Sequence, residues 1–266
     1  MIPGRSNARL ALKDIVDGVL AAHIWATLAW QDTRLRYRRS VLGPFWLTIN
    51  TAILVTAMGP FYGMLFRQDF STYLSYLSVS FVLWSLMSGL IVESCDTFVS
   101  AESLIKDIKL PLTLHVMRMI ARNSIGFAHN ALIIVAVLAI FSRQWSMYSL
   151  LFPFGLLMIL ANSLWTGLLL GLLCARFRDL GQIVNSLVQV MLFISPVIWR
   201  AEMTGNRRWL VEINPVTHLL EIVRAPLFGH APSPRNWAVA AGLALAGSVV
   251  TFVVFTRFRA RVAYWL

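Results

Sequence analysis

The residues able to do chemistry in this chain are few, and their spacing excludes most reactions. Five histidines, His23, His115, His129, His218 and His230, are scattered, and no HExxH, GxSxG, GxGxxG or GxxxxGK[ST] pattern occurs. Those frames mark zinc hydrolysis, serine nucleophiles, dinucleotide binding and nucleotide hydrolysis, so none of these is expected of this chain. Cys95 and Cys174 lie 79 positions apart, with neither a CxxC nor a metal-ligand spacing. No metal site is expected, and both thiols are expected free. Glu93, Asp96 and Asp179 stand at the ends of apolar stretches rather than inside them. An ion-coupled carrier would keep carboxylates within its membrane segments. His129 falls inside such a stretch, where a neutral imidazole bonded to a neighbouring helix is favoured over a proton relay. Glu221 and Arg224, spaced i, i+3, can pair on one helix. The remaining candidates are aromatic: Phe61 and Tyr62, Tyr73 and Tyr76, then Phe81 and Trp84. Their rings suit the C–H faces of sugars, with tyrosine hydroxyls to bond sugar hydroxyls. Taken alone, an outer interfacial aromatic belt is the better explanation of them.

Composition says what must hold these residues. Of 266 residues, 58% are hydrophobic and only 13% charged, with a mean hydropathy of +0.70. Soluble domains run at roughly 25% charged. A net charge of +11 would suggest nucleic acid in a soluble protein, and cytoplasmic loops or anionic headgroups in a membrane protein.

Charge-free stretches long enough to cross a bilayer, ~20 residues, decide for the membrane. They cover 44–66, 70–92, 123–142, 144–175, 180–199 and 236–256. The fourth is too long for one upright helix, and Pro153 is expected to divide an interfacial lead-in from the span. Six spans, taken as about 44–66, 70–92, 118–142, 152–175, 180–199 and 236–257, put both termini on one side. Of the 23 Lys and Arg, 16 fall on that side and 7 on the other, so both termini are expected to be cytoplasmic. Nucleic acid is not an expected partner.

Two segments do not fit simple spans. Residues 14–38 carry Trp25, Trp30, Arg34, Arg36 and Arg38, followed by Arg39, which predicts an amphipathic helix in the membrane interface. Residues 200–235 contain Pro215, Pro226, Pro232 and Pro234 after the Ser195-Pro196 break, which predicts short helices dipping back into the membrane. The expected fold is all-α and integral to the membrane, one domain over 1–266, with no internal repeat.

Several runs together resemble one family. Residues 32–46 (DTRLRYRRSVLGPFW), 104–111 (LIKDIKLP), 176–180 (RFRDL), 195–199 (SPVIW) and Asn214-Pro215 followed by Glu221 and Arg224 stand in order along nearly the whole chain. This order resembles the permease subunits of type-2 ABC exporters for O-antigen, capsule and teichoic acid polymers. The resemblance implies a homodimer with two separate ATPase subunits, which bind the ATP and magnesium; this chain carries no cofactor. It implies a short coupling helix at 101–109, with Leu104, Ile105 and Ile108 as its docking face beside Lys106 and Asp107. Ser100 or Ser103 is expected to cap that helix and Pro111 to stop it.

The same resemblance implies a substrate, a polyprenyl-diphosphate-linked glycan, most of all O-antigen, exported across a bacterial inner membrane. Arg36, Arg38, Arg39, Leu42 and Gly43 would border its entrance, since guanidinium forks suit a diphosphate. The same arginines also serve topology and anionic lipids. Phe61, Tyr62, Tyr73, Tyr76 and Phe193 would line the polymer channel. Pro196, Asn214, Pro215, Glu221 and Arg224 would form an external re-entrant gate. Teichoic acid, capsule, small lipids or drugs are alternative cargoes of the same fold. A membrane-embedded transferase on lipid-linked sugars is a further alternative, though no paired acid and base residues are evident.

Overall fold

A computed structural model describes residues 5–38, 43, 45–141 and 146–266. Every regular element among the described residues is helical. The chain runs α1 (Arg5–Leu20), α2 (Ala22–Tyr37), α3 (Phe45–Leu65), α4 (Phe70–Asp96), α5 (Glu102–Asp107) and α6 (Leu112–Phe141). It continues with α7 (Phe152–Arg176), α8 (Leu180–Ile194), α9 (Arg208–Ile213), α10 (Pro215–Leu227), α11 (Pro234–Phe258) and α12 (Val262–Trp265). A 3-10 turn, Met147–Leu151, leads into α7 at Pro153, as the long fourth stretch implied.

Five of these helices are long and apolar enough to cross a membrane: α3, α4, α6, α7 with its lead-in, and α11 with the turn that follows it. The expected fifth span is shorter than its apolar stretch. α8 has 15 residues and ends at Ile194, because the chain turns extended at Ser195 ahead of Pro196. At 1.5 Å per residue it reaches only ~22 Å.

α4 is the axis of the bundle. It packs on α3, α6, α7 and α8, and Leu77, Val79, Val82, Leu83, Leu86 and Leu90 along it are almost fully buried. Two helix starts have a local cause. Asp69 caps α4 by accepting the Thr72 N–H at 3.0 Å. Asn214 caps α10 through the Val216 N–H at 3.0 Å, ahead of a proline at the first helical position.

Three boundaries differ from the sequence reading. The interfacial helix expected over 14–38 is two helices, broken at Ala21 (φ −72°, ψ 42°). The Trp25 indole N–H donates to the Val19 carbonyl at 3.1 Å, across the break. α6 begins at Leu112 rather than near 118, because Asp14 supplies an N-terminal cap from another helix. Its carboxylate accepts from the Leu112 N–H at 3.2 Å and from the Thr113 N–H at 3.1 Å. Finally, neither serine caps α5. Ala101 holds the cap position without a side-chain bond, and the Ser100 hydroxyl donates back to the Asp96 carbonyl at 2.7 Å.

Candidate functional site

Two polar clusters lie at opposite ends of the bundle. At the end that carries α2 and α5, the arginine-rich segment meets an ion-pair network. Asp32 on α2 accepts from Arg118 Nε at 2.7 Å and Nη2 at 2.5 Å, and from Arg122 Nη1 at 3.1 Å. Arg122 also donates to Glu93 at the end of α4, with Nη2 at 2.7 Å, and Glu93 accepts from Asn123 at 2.7 Å. Arg36 stands 3.5 Å from the other Glu93 oxygen and is half-exposed. Burial pushes the Asp32 carboxyl up, but the guanidiniums of Arg118 and Arg122 outweigh it and hold it below its ordinary 3.8.

Behind this network lies a cavity of about 190 Å³ between α2, α3, α4 and α6, lined by Arg36, Tyr37, Glu93, Arg122, Asn123 and His129 among others. His129 bonds the Ile125 carbonyl of its own helix at 2.8 Å, rather than a neighbouring helix. Arg38 is exposed, and Gly43 takes a left-handed turn at φ +56° with open space at its Cβ. Arg39 and Leu42 lie outside the described residues.

α5 follows directly from the α4 end of this network. Ile105 packs on the core, and Ile108 is exposed beyond the last turn. Lys106 pairs with Glu102 at 2.6 Å and holds that carboxyl below its usual range. Lys106 and Asp107 face outward.

The far cluster centres on Arg224, which is buried. One guanidinium nitrogen donates to the Tyr76 hydroxyl at 2.7 Å, the Pro196 carbonyl at 2.8 Å and the Ser80 hydroxyl at 3.0 Å; the other pairs with Glu221. The i, i+3 pair read from the sequence is therefore present. A buried ion pair is stable only when its remaining hydrogen bonds are supplied, and α4 and the post-α8 turn supply them here. Asn214 donates to the Ser195 hydroxyl at 2.9 Å. The structure thus joins Pro196, Glu221 and Arg224 directly and ties Asn214 to the same turn through Ser195, while Pro215 starts α10 beside Asn214.

Tyr73 and Tyr76 also belong to this cluster. Tyr73 is fully buried and donates to the Ile198 carbonyl at 2.6 Å; Tyr76 is 7% exposed and bonds Pro196 and Trp199 carbonyls. They fasten α4 to the turn after α8. Phe61 on α3 and Phe193 on α8, by contrast, are 64% and 66% exposed, and Tyr62 stacks edge-on to Phe61.

Asp14, Asp32, Arg118, Arg122 and Ser80 were not singled out from the sequence. Arg118 and Arg122 were visible only as charges ahead of the third apolar stretch, and Asp14 and Asp32 as acids ahead of the first; no local spacing pairs them, and Ser80 carries no signal at all.

The ABC-2 type transporter family model matches residues 24–228, more than half of the chain. The chain belongs to the ABC-2 type transporter family. The chain is 22% identical over 208 residues to the O-antigen export system permease protein RfbA of Myxococcus xanthus, covering 77% of this chain and 80% of that one. It is 20% identical over 202 residues to the protein of the same name from Klebsiella pneumoniae, covering 71% and 74%. Membership makes the chain a multi-pass bacterial membrane protein and a transport subunit, not an enzyme, and implies an ABC ATPase as partner.

Proposed function

We propose that the chain is the permease of an exporter for a polyprenyl-diphosphate-linked polysaccharide of the O-antigen type, in a bacterial inner membrane. Two copies frame the channel, with two ATPase subunits below that bind ATP and magnesium. In this reading α8 is the fifth of six spans, both termini and α5 are cytoplasmic, and the segment 195–233 is external and re-entrant. The relatives named above support the cargo class.

The observation that carries the reading is the ion-pair network. Asp32 and Arg36 join the arginine-rich interface segment to the ends of α4 and α6, the two helices that α5 connects. A push on α5, through Leu104, Ile105 and Ile108, reaches the substrate entrance through rigid helices and paired charges. The diphosphate is caught by Arg36, Arg38 and Arg39 at the Leu42-Gly43 turn, because planar forks make paired, charge-assisted bonds to phosphate oxygens. Phe61, Tyr62 and Phe193 then offer the polymer stacking faces. The Pro196–Asn214–Pro215–Glu221–Arg224 cluster closes the outer end. No covalent step is involved.

Complementation tests this. In a host deleted for this permease, the wild-type chain restores surface glycan. Arg36→Ala combined with Arg38→Ala, at equal protein level, lowers export at least tenfold and leaves lipid-linked glycan inside the cell. Undiminished export by the double variant sinks the diphosphate role; no rescue by the wild type sinks the export reading.

A further inference from the structure

We propose that α12 is a second docking element for the ABC ATPase, with Tyr264 as the side chain that enters the partner and an acidic face of that partner opposite it. The inference rests on the reading of α5 as the coupling helix and extends the contact to the last span.

α12 follows α11 through a 3-10 turn, Arg259–Arg261. α11 has 25 residues, which at 1.5 Å each reach roughly 37 Å against ~30 Å of hydrocarbon. Arg257, Arg259 and Arg261 close that stretch with charge, so α12 lies at or beyond the headgroups. There it packs against α5 and α7. The short helix is pinned on both sides. Val262 is fully buried, Leu266 packs on the core, and the Arg176 guanidinium at the end of α7 lies 5.4 Å from the Trp265 ring and 5.0 Å from that of Phe177. Tyr264 is nonetheless 95% exposed, more than any other large apolar side chain among the described residues. On a frayed end such exposure would mean nothing. On a pinned helix it presents an aromatic ring beside α5.

Two properties of the patch select its occupant. The first is charge. The Arg257 and Arg261 guanidiniums stand 5.7 and 5.9 Å from the Phe258 ring, which meets Trp265 at 5.7 Å. Neither pairs with a carboxylate among the described residues. Arg178, after α7, adds its field to that of Lys106 at Glu102 on α5. Against the exposed Asp107 and Asp179 the patch stays net positive. Charge of this sign selects an acidic partner and speeds the encounter. The second property is continuity. α12 touches α5, the helix proposed to receive the ATPase, so a single partner face covers both. Tyrosine suits such a contact, being enriched among the few side chains that dominate interface energies. Docking here gives the ATPase a grip on α11 as well as on the α4–α6 pair that α5 connects.

The test is site-specific photo-crosslinking in the assembled transporter. The photoreactive residue p-benzoylphenylalanine replaces Tyr264 in one chain, Ile108 (50% exposed) in a second and Met147 (84% exposed, at the opposite end) in a third. Each is co-expressed with its cognate ATPase, which carries a tag, and membranes are irradiated. The Tyr264 and Ile108 positions are expected to give a permease–ATPase adduct at least fivefold above the Met147 position. An adduct from the Ile108 position but none from the Tyr264 position overturns the α12 contact alone. None from either removes the docking of α5 as well. Capture of lipid, or of a second permease copy, by the Tyr264 position in place of the ATPase also overturns the contact. Arg257→Gln with Arg261→Gln tests the charge. The adduct from the Tyr264 position should fall at least threefold while that from the Ile108 position persists, and an undiminished yield overturns the acidic partner face.

Discussion

Arg259, past the end of the last long helix, donates to Asp14 on the first helix at 2.8 Å. The same carboxylate caps α6 through Leu112 and Thr113, so one nearly buried side chain ties together three segments far apart in sequence. Losing an N-cap costs about 1 kcal/mol, and a buried charge left unpaired costs more. Asp14→Ala is therefore expected to destabilise the protein by roughly 2–4 kcal/mol. Asp14→Asn, whose single oxygen can still accept one of the two backbone bonds, should lose less. Thermal unfolding in detergent, followed by monodisperse size-exclusion fluorescence, checks both, and equal loss in the two variants would refute the capping account.

The interface network makes a pH prediction. Asp32 has its folded pKa lowered, so its contribution is complete above the unfolded value and is lost as pH falls through the folded one. Melting temperature should be insensitive to this group from pH 5 to 8 and fall below about 4. Asp32→Asn should melt lower at pH 7 and show a shallower acid decline. Parallel acid declines in both proteins would refute it.

The close approach of α7 to α10 makes a packing prediction. A Cβ built on Gly155 would sit 2.5 Å from the Ile222 carbonyl oxygen, a backbone atom that cannot swing away. Gly155→Ala is expected to destabilise by roughly 1–3 kcal/mol. At Gly242, nothing lies within 4 Å. Gly242→Ala should be neutral or stabilising by up to ~1 kcal/mol. Reversal of that order in unfolding midpoints would count against the observed α7–α10 spacing.

The proposed coupling helix gives a prediction about assembly. Leu104→Asp with Ile108→Asp puts two charges where the ATPase would bury an apolar face, so co-purification of the ATPase with the permease should be lost while the permease alone, whose core contact at Ile105 is untouched, stays monodisperse. Retained association would move the docking site elsewhere.

What could be read in advance follows from range. Bilayer solvent acts on every residue of a span, so spans are written as charge-free stretches, and the Ser195-Pro196 break acts on its own backbone. The Glu221–Arg224 pair sits within one helical turn. Asp14 capping α6, and Tyr73 and Tyr76 bonding the turn after α8, join residues about 100 or more positions apart. Such pairings leave no local period, which is why α6 was expected to start late and the tyrosine bonds to the turn after α8 were not foreseen. The capping of α5 failed differently. A serine beside a helix start has two uses, and Ser100 bonds backward to Asp96 instead of forward.

The four partners of Arg224 come from α4, α10 and the turn after α8. Parting any of these from the others would leave a guanidinium stranded away from water. Whatever this end of the bundle does during a cycle, these pieces must travel as one plate. The bending then falls to the plate's edges, where Gly205 and Gly229 hold positive φ of 51° and 78° and side chains would resist the swing. The end opposite α5 is thus framed less like an iris than like a hatch on two glycine pins.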